Sequence, residues 1–156
     1  MMNAVSARTH AAPDMARYRA DFPILASRVY DKPLVFLDSA ASAQKPQCVI
    51  DAVRFCYEHE YANIHRGVYW LSQQATKAYE ETRVKVQRFL NAASADEIIF
   101  TKGATEAINL VAASYGGSAL GAGDEIILSH LEHHANIVPW QLLRQRIGIE
   151  IKVAPI

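Results

Sequence analysis

The pattern of apolar and polar positions predicts a chain in which strands alternate with helices. Compact apolar runs at residues 34–37, 97–100, 124–129 and 150–154 are typical of buried strands. Apolar residues at helical spacing predict helices over 15–21, 46–57, 72–90, 104–115 and 136–147. This rhythm predicts an α/β fold with a mostly parallel sheet covered by helices. No strand follows residue 154, so we expect the sheet to be incomplete.

Single residues mark the ends of several predicted elements. Asp14 is placed to cap the first helix, Pro46 stands at the start of the second, and Ser72 is placed to cap the long third helix. Pro139 fits only in the first turn of the last helix, and Gly148 turns the chain into the last strand.

Size and charge narrow the class of protein. The chain has 156 residues, with 16 basic and 16 acidic side chains. A net charge of zero argues against a nucleic-acid-binding protein, which usually carries a basic face. No run approaches the roughly 20 apolar residues that cross a bilayer, and the N-terminus lacks the apolar core of a secretory signal. We therefore expect a cytoplasmic protein that binds neither membrane nor nucleic acid.

The two cysteines lie on the second predicted helix. Cys48 and Cys56 would stand about 12 Å apart along it, which is too far for a disulfide. Val49, Val53 and Cys56 recur at helical spacing and predict a buried stripe. We expect two buried thiols in a reducing compartment.

The chain divides into three predicted parts. Residues 1–13 are small and polar without a period, and we expect a disordered leader. Residues 14–45 form an N-terminal arm and the first strand. Residues 46–156 form an incomplete part of a larger domain.

A turn at residues 101–106 joins a predicted strand to a predicted helix. Free amides at a helix start and the helix dipole favour an anion. Gly103 permits close approach of the backbone, and Thr105 adds a hydroxyl. The turn lacks the full glycine pattern of a Rossmann site and the lysine of a P-loop. Simple capping of the helix by Thr105 is the alternative.

Histidines follow the next strand at His130, His133 and His134. Parallel strands end at one edge of a sheet, where ligands bind, so these side chains are expected beside the anion turn. An imidazole next to a phosphate site suggests a phosphorylated cofactor with a ring to stack. The spacing lacks a His-Glu-x-x-His helix and a cysteine pair, so we expect no metal site.

Two further loops carry candidate binding residues. Ala40 lies in a run of small residues that permits close approach of a ligand or of another backbone, although the run alone favours a plain loop that caps the next helix. His65 and Arg66 precede Gly67, and such a loop suits a carboxylate because arginine binds it bidentately. A solvated loop with one salt bridge is the alternative.

Six strings in order carry a family resemblance. They are RADFP at 19–23, LDSAASAQKP at 37–46, HRG at 65–67, LS at 71–72, GATEAINLVA at 103–112 and EHHANIVPWQ at 132–141. Together they resemble the N-terminal part of a group II (Suf-type) cysteine desulfurase, in the class V aminotransferase family. The resemblance implies the PLP-dependent transferase fold type I, with residues 46–156 in the front part of the large pyridoxal 5'-phosphate (PLP) binding domain.

The resemblance also implies roles for residues. Gly103, Ala104 and Thr105 would bind the PLP phosphate, and His133 would stack on the cofactor ring and assist proton transfer as a catalytic residue. Ala40, His65 and Arg66 would line the substrate pocket. The family acts as a homodimer on L-cysteine, forms L-alanine, and passes sulfur as an enzyme persulfide to a Suf-type acceptor protein for iron–sulfur cluster assembly.

The sequence also departs from the family pattern. It contains neither the Ser-x-His-Lys string of the Schiff-base lysine nor the loop cysteine that carries the persulfide. We therefore expect an N-terminal fragment that is inactive alone. A selenocysteine lyase fragment and a non-catalytic remnant that binds a partner chain are the alternatives.

Overall fold

The computed structural model describes residues 14–156. The predicted disordered leader, residues 1–13, lies outside the described residues. The chain forms two compact units, the first ending at Lys85 and the second beginning at Val86. The predicted boundary after residue 45 stays a prediction.

The described part of the first unit starts with a capped helix and a small hairpin. Its described elements are α1 (Met15–Ala20), a 3-10 turn (Pro23–Ala26), the antiparallel strands β1 (Arg28–Val29) and β2 (Lys32–Pro33), α2 (Gln47–Phe55) with a π turn (Cys56–Glu60), and most of α3 (Trp70–Leu90). As predicted, the Asp14 carboxylate accepts hydrogen bonds from the first amides of α1. The guanidinium of Arg19 donates to the carbonyl oxygens of Leu25 and Leu34 at 2.8 and 2.9 Å, which fastens α1 to the hairpin.

The strand predicted at residues 34–37 is wrong. These residues have no strand structure, and Val35 and Leu37 are 74% and 91% exposed. A strand needs a partner to accept and donate its ladder of hydrogen bonds. Within residues 14–156, no strand pairs with this apolar run.

The buried stripe predicted on α2 is also wrong. Val49 and Val53 are 41% and 52% exposed, and the thiols of Cys48 and Cys56 are both exposed. The helix itself forms close to its predicted bounds, with Pro46 as its N-cap residue. Helical spacing therefore predicted the helix correctly. Burial also requires a second element packed against this face, and no element of the described residues covers it.

Ser72 does not cap α3, which begins at Trp70. Ser72 lies in the first turn and is fully buried. Its hydroxyl donates to the carbonyl oxygen of Asn63 at 2.7 Å and accepts from the amide of Gly67 at 3.1 Å. A Cβ at Gly67 would lie 2.3 Å from the Ser72 oxygen, so this close contact requires glycine.

The second unit contains a two-stranded parallel sheet. Its elements after α3 are a 3-10 turn (Ala95–Glu97), α4 (Ala104–Val111) continued by a π segment (Ala112–Gly116) and α5 (Gly117–Ala119), β3 (Glu125–Ser129), a 3-10 turn (His134–Asn136), α6 (Val138–Ile147) and β4 (Glu150–Ala154). β3 and β4 pair in parallel, from Glu125 opposite Glu150 to Ser129 opposite Ala154. This confirms the predicted α/β class and the predicted incomplete sheet.

The strand predicted at residues 97–100 is wrong. Ser94 and Glu97 form a reciprocal capping box that winds this region into the 3-10 turn. Residues 98–100, which follow the turn, are not assigned to a strand in the described part of the chain. Ile98 is nevertheless buried, so its apolar character reflects packing.

The core of the second unit lies between the sheet and α6. Leu128, Leu143 and Ile149 are 7%, 3% and 1% exposed. Gly116 allows close approach to α6, because a Cβ there would lie 2.7 Å from a Leu143 methyl group. Gly148 ends α6 at φ 79°, as predicted from the sequence.

Among the helices of residues 14–156, none combines the length and the apolar composition needed to cross a membrane.

Candidate functional site

The start of α4 presents unpaired backbone amides. Gly103 is the N-cap residue, and no side chain caps the helix there. Within residues 14–156, the amides of Gly103, Ala104 and Thr105 have no hydrogen-bond acceptor. All three residues are exposed. Such amides, together with the positive end of the helix dipole, favour an anion.

The backbone at Gly103 does not itself require glycine. Its φ of 164° is extended, and a Cβ built on it would meet no atom within 4 Å. The absent side chain instead leaves open space beside the free amides. That space suits a group that approaches the backbone closely, as a phosphate does.

Neighbouring side chains fix the shape of this turn. The Glu106 carboxylate accepts from the amide of Lys102 at 2.6 Å, and the Thr101 hydroxyl donates to the carbonyl oxygen of Gly103 at 3.2 Å. Thr105 does not cap the helix. The capping alternative for Thr105 is therefore wrong, and its hydroxyl remains available to a ligand.

His133 follows β3 and is the N-cap residue of the turn His134–Asn136. Its Nδ1 accepts from the amide of Ala135 at 3.1 Å. The His134 ring lies 4.0 Å from the His133 ring, centroid to centroid, at an interplanar angle of 35°. The exposed His133 imidazole thus has one face next to His134 and its Nε2 free of this cap.

The anion turn and His133 lie in neighbouring elements of the second unit. α4, which begins at the free amides, packs against the turn His134–Asn136, which His133 caps. The sequence predicts that both features lie at one edge of a parallel sheet, and the distance between them stays a prediction. The structure brings the turn after β3 into contact with α4.

A hydrogen-bonded network around Glu132 was not predicted from the sequence. The Ser129 hydroxyl donates to one carboxylate oxygen of Glu132 at 2.8 Å, and the Asn136 amide group donates to the other at 2.8 Å. The Trp140 indole N–H donates to Asn136 Oδ1 at 2.9 Å. The hydrogen bonds from Asn136 and Ser129 lower the pKa of the Glu132 carboxyl. The i, i+4 spacing of Glu132, Asn136 and Trp140 is the one sequence signal that indicates this network.

His65 lies in a strained turn of the first unit. Its φ is 69°, in the left-handed region, and its amide donates to the Thr76 hydroxyl at 2.9 Å. Its Nε2 lies 3.4 Å from a Glu80 carboxylate oxygen, and its ring meets the Tyr79 ring edge-on at 5.8 Å. The fixed backbone and the paired ring hold the imidazole in place.

Ala40 and Arg66 are the other predicted substrate-binding residues in this unit. Both are exposed, and Ala40 lies in a turn closed by amides that donate to the Asp38 carbonyl oxygen at 3.2 and 3.1 Å. Their role, like that of His65, stays a prediction.

Other kinds of site were sought in both units. In the described part of the chain, no group of three histidine, cysteine or acidic side chains could hold a metal ion. A cleft of about 200 Å³ in the second unit is lined by Ala112, Pro139, Leu143 and Arg146, among others. It lies towards the C-terminal end of α4, away from the free amides, and contains none of the predicted site residues.

Known proteins resemble this chain in sequence and in structure. A family model described as aminotransferase class-V matches residues 35–156. A cysteine desulfurase of Pectobacterium atrosepticum is 59% identical over 140 residues, which covers 90% of this chain and 34% of that protein. The chain thus spans about a third of the length of the curated relatives it matches.

Two solved structures share the fold. The apo cysteine desulfurase of Thermococcus onnurineus superposes with a TM-score of 0.78 at 34% identity, covering 92% of this chain and 34% of that one. An Escherichia coli cysteine desulfurase in an S-sulfonic acid form superposes with a TM-score of 0.72 at 40% identity. The match covers 94% of this chain and 35% of that one. Because the family model covers most of the sequence, this chain belongs to the aminotransferase class V family.

Proposed function

We propose that this chain is the front part of a PLP-dependent cysteine desulfurase, and that it supplies the phosphate-binding turn and a stacking histidine for the cofactor. One observation carries the proposal. Three exposed amides without acceptors begin α4, and α4 packs against the turn that His133 caps. A phosphate and an aromatic ring on the same small ligand would match these two features.

The phosphate is bound by backbone. The amides of Gly103, Ala104 and Thr105 donate to its oxygens, and the Thr105 hydroxyl adds a side-chain donor. Each charge interaction with a helix terminus contributes roughly 0.3–1 kcal/mol at an exposed site. The negative charge of Glu106 disfavours a bound anion, but the hydrogen bond that its carboxylate accepts from the Lys102 amide offsets part of that charge.

His133 contributes a flat aromatic surface. The amide of Ala135 occupies Nδ1, so a neutral ring carries its proton on Nε2. The ring would cover one face of the cofactor, and Nε2 would be the ring atom that holds or transfers a proton there. When bound, PLP supplies the electron sink for bond cleavage at the amino-acid substrate.

Substrate and partners follow from the resemblance and the relatives' names. The substrate is L-cysteine, with Arg66 binding its carboxylate and Ala40 and His65 lining the pocket. The product is L-alanine, and the sulfur leaves as a persulfide to a Suf-type acceptor for iron–sulfur cluster assembly. We place this activity in a cytoplasmic homodimer. The Schiff-base lysine and persulfide cysteine are absent from the sequence, so this chain alone forms no alanine.

Equilibrium binding of PLP and of phosphate-free pyridoxal tests the proposal. The parent chain is expected to bind PLP at least about tenfold more tightly, since pyridoxal lacks the charged acceptors of the amides. His133→Ala should weaken the binding of both ligands. His130→Ala, in the same exposed loop, is the matched control. Equal affinities for the two ligands, or equal effects of both substitutions, would contradict the proposal.

A further inference from the structure

The loop that carries His133 is fastened on both sides by one carboxylate. Ser129, the last residue of β3, and Asn136, the last residue of the 3-10 turn, each donate to a different oxygen of Glu132 at 2.8 Å. His133 lies between these two anchors. The single carboxylate therefore closes the segment from 129 to 136 around the imidazole.

The network continues into a helix. Asn136 Oδ1 accepts from the Trp140 indole N–H at 2.9 Å, and Trp140 belongs to α6. Ser129 is fixed in turn by the parallel pairing of β3 with β4. The loop is thus joined to the sheet on one side and to α6 on the other. Both elements contribute buried residues, Leu128 and Leu143, to the core of the second unit.

Hydrogen bonds to an ionised carboxylate are stronger than those between neutral groups. Asn136 uses its amide group as donor to Glu132 and its oxygen as acceptor from Trp140, so its orientation is determined by both partners. Glu132 is only partly buried, yet both of its oxygens are occupied. Because Ser129 and Asn136 each donate to one of its oxygens, the Glu132 carboxylate holds both ends of the segment between them, and we call these three residues the clamp.

We propose that Glu132 is a positioning residue for His133, whose carboxylate, held by Ser129 and Asn136, fixes the loop so that the imidazole presents its open face to the cofactor. This deepens the proposed function and rests on it for the identity of the cofactor. Glu132 itself contacts no reacting atom. It acts by fixing the position of His133.

Two substitutions break the clamp in different ways. Glu132→Ala removes both acceptors. Asn136→Asp replaces the donor to Glu132 with a second carboxylate but keeps an acceptor for Trp140. Glu125→Ala, at the other end of β3, removes a carboxylate paired with Lys152 at 3.2 Å and is the matched control.

Hydrogen exchange measured by mass spectrometry reports the loop directly. In Glu132→Ala and Asn136→Asp, amides of residues 130–137 are expected to exchange about tenfold faster, while residues 125–128 of β3 keep their protection. Glu125→Ala should leave residues 130–137 unchanged. Unchanged exchange of 130–137 in both clamp variants would overturn the proposal.

A double-mutant cycle on PLP affinity separates positioning from general stability. Glu132→Ala should weaken PLP binding at least about threefold, and adding it to His133→Ala should cause no further loss, because Glu132 acts through His133. Additive losses, or a Glu132→Ala chain that binds PLP as the parent does, would overturn the proposal. If the parent shows no preference for PLP over pyridoxal, the proposed function fails, and the exchange measurement alone decides whether Glu132 holds the loop.

Discussion

The Nδ1 atom of His133 accepts a hydrogen bond from the amide of Ala135 at 3.1 Å. A ring nitrogen that accepts carries no proton, so this contact selects the tautomer of the neutral imidazole. The proton of neutral His133 is then on Nε2. The backbone of the 3-10 turn thus determines which atom of the ring can donate to a ligand.

The tautomer of His133 can be measured by nitrogen-15 correlation spectra of the imidazole ring. We expect the unprotonated ring to be the Nε2–H tautomer in the parent and in Ala135→Gly, which keeps the amide donor. Ala135→Pro removes that donor, and mixed tautomers should result. A dominant Nδ1–H form in the parent would show that the cap is not made in solution.

Gly103→Ala should weaken phosphate binding without weakening the fold. A Cβ at this position meets no atom of the chain within 4 Å and needs no unusual φ. It would instead fill the space beside the free amides, and we expect PLP affinity to fall about tenfold or more. The control is Gly121→Ala, also in open space but outside the turn. Equal affinities of the two variants, measured by fluorescence titration, would contradict the placement of the phosphate.

Gly148→Ala should destabilise the second unit. Gly148 has φ 79°, and its Cβ would lie 3.3 Å from the Ala122 Cβ. An L-residue in the left-handed region costs about 1–2 kcal/mol. Urea unfolding followed by circular dichroism should therefore show a lower midpoint than the parent. Gly121→Ala, with no such constraint, should stay within about 0.5 kcal/mol of the parent.

The clamp at Glu132 should make stability depend on acid pH. Hydrogen bonds from Asn136 and Ser129 hold the pKa of the Glu132 carboxyl below its usual range in the folded chain. The stabilisation is therefore fully present above the ordinary glutamate pKa and is lost as the pH falls through the lowered folded value. Glu132→Gln removes this titration.

The measurement compares urea midpoints of the parent and Glu132→Gln. The parent should be the more stable chain near about pH 7, and the difference should shrink towards about pH 3. Glu125→Gln controls for the loss of one carboxylate at the other end of β3. A difference between parent and Glu132→Gln that is constant over this range would contradict the assignment.

The sequence predicted the elements whose partners lie close along the chain. β3, α6 and β4 form near their expected bounds because Gly148 sets the connection and the two strands pair with each other. The apolar runs at 34–37 and 97–100 were predicted as strands on the same evidence, but the structure assigns no strand to either of them. Apolar composition predicts burial, whereas a strand also needs a second chain segment to pair with.

The candidate site was predictable in part for a similar reason. Gly103 and the group of three histidines after β3 follow from local rules about helix starts and strand ends, whereas the choice of His133 among the three came from the family resemblance. The network of Glu132 depends on side-chain orientations, which sequence spacing suggests only weakly. The exposure of Cys56 was missed because helical spacing reveals a face but not what covers it.

The most direct test of the central claim is the map of amide and ring signals that shift when PLP is added to the nitrogen-15-labelled chain. We expect the largest changes at the amides of Gly103, Ala104 and Thr105 and at the imidazole of His133 in the same titration. Inorganic phosphate should move the three amides and leave the imidazole in place. Shifts confined to other parts of the chain, or a PLP response at His133 without one at the three amides, would contradict it.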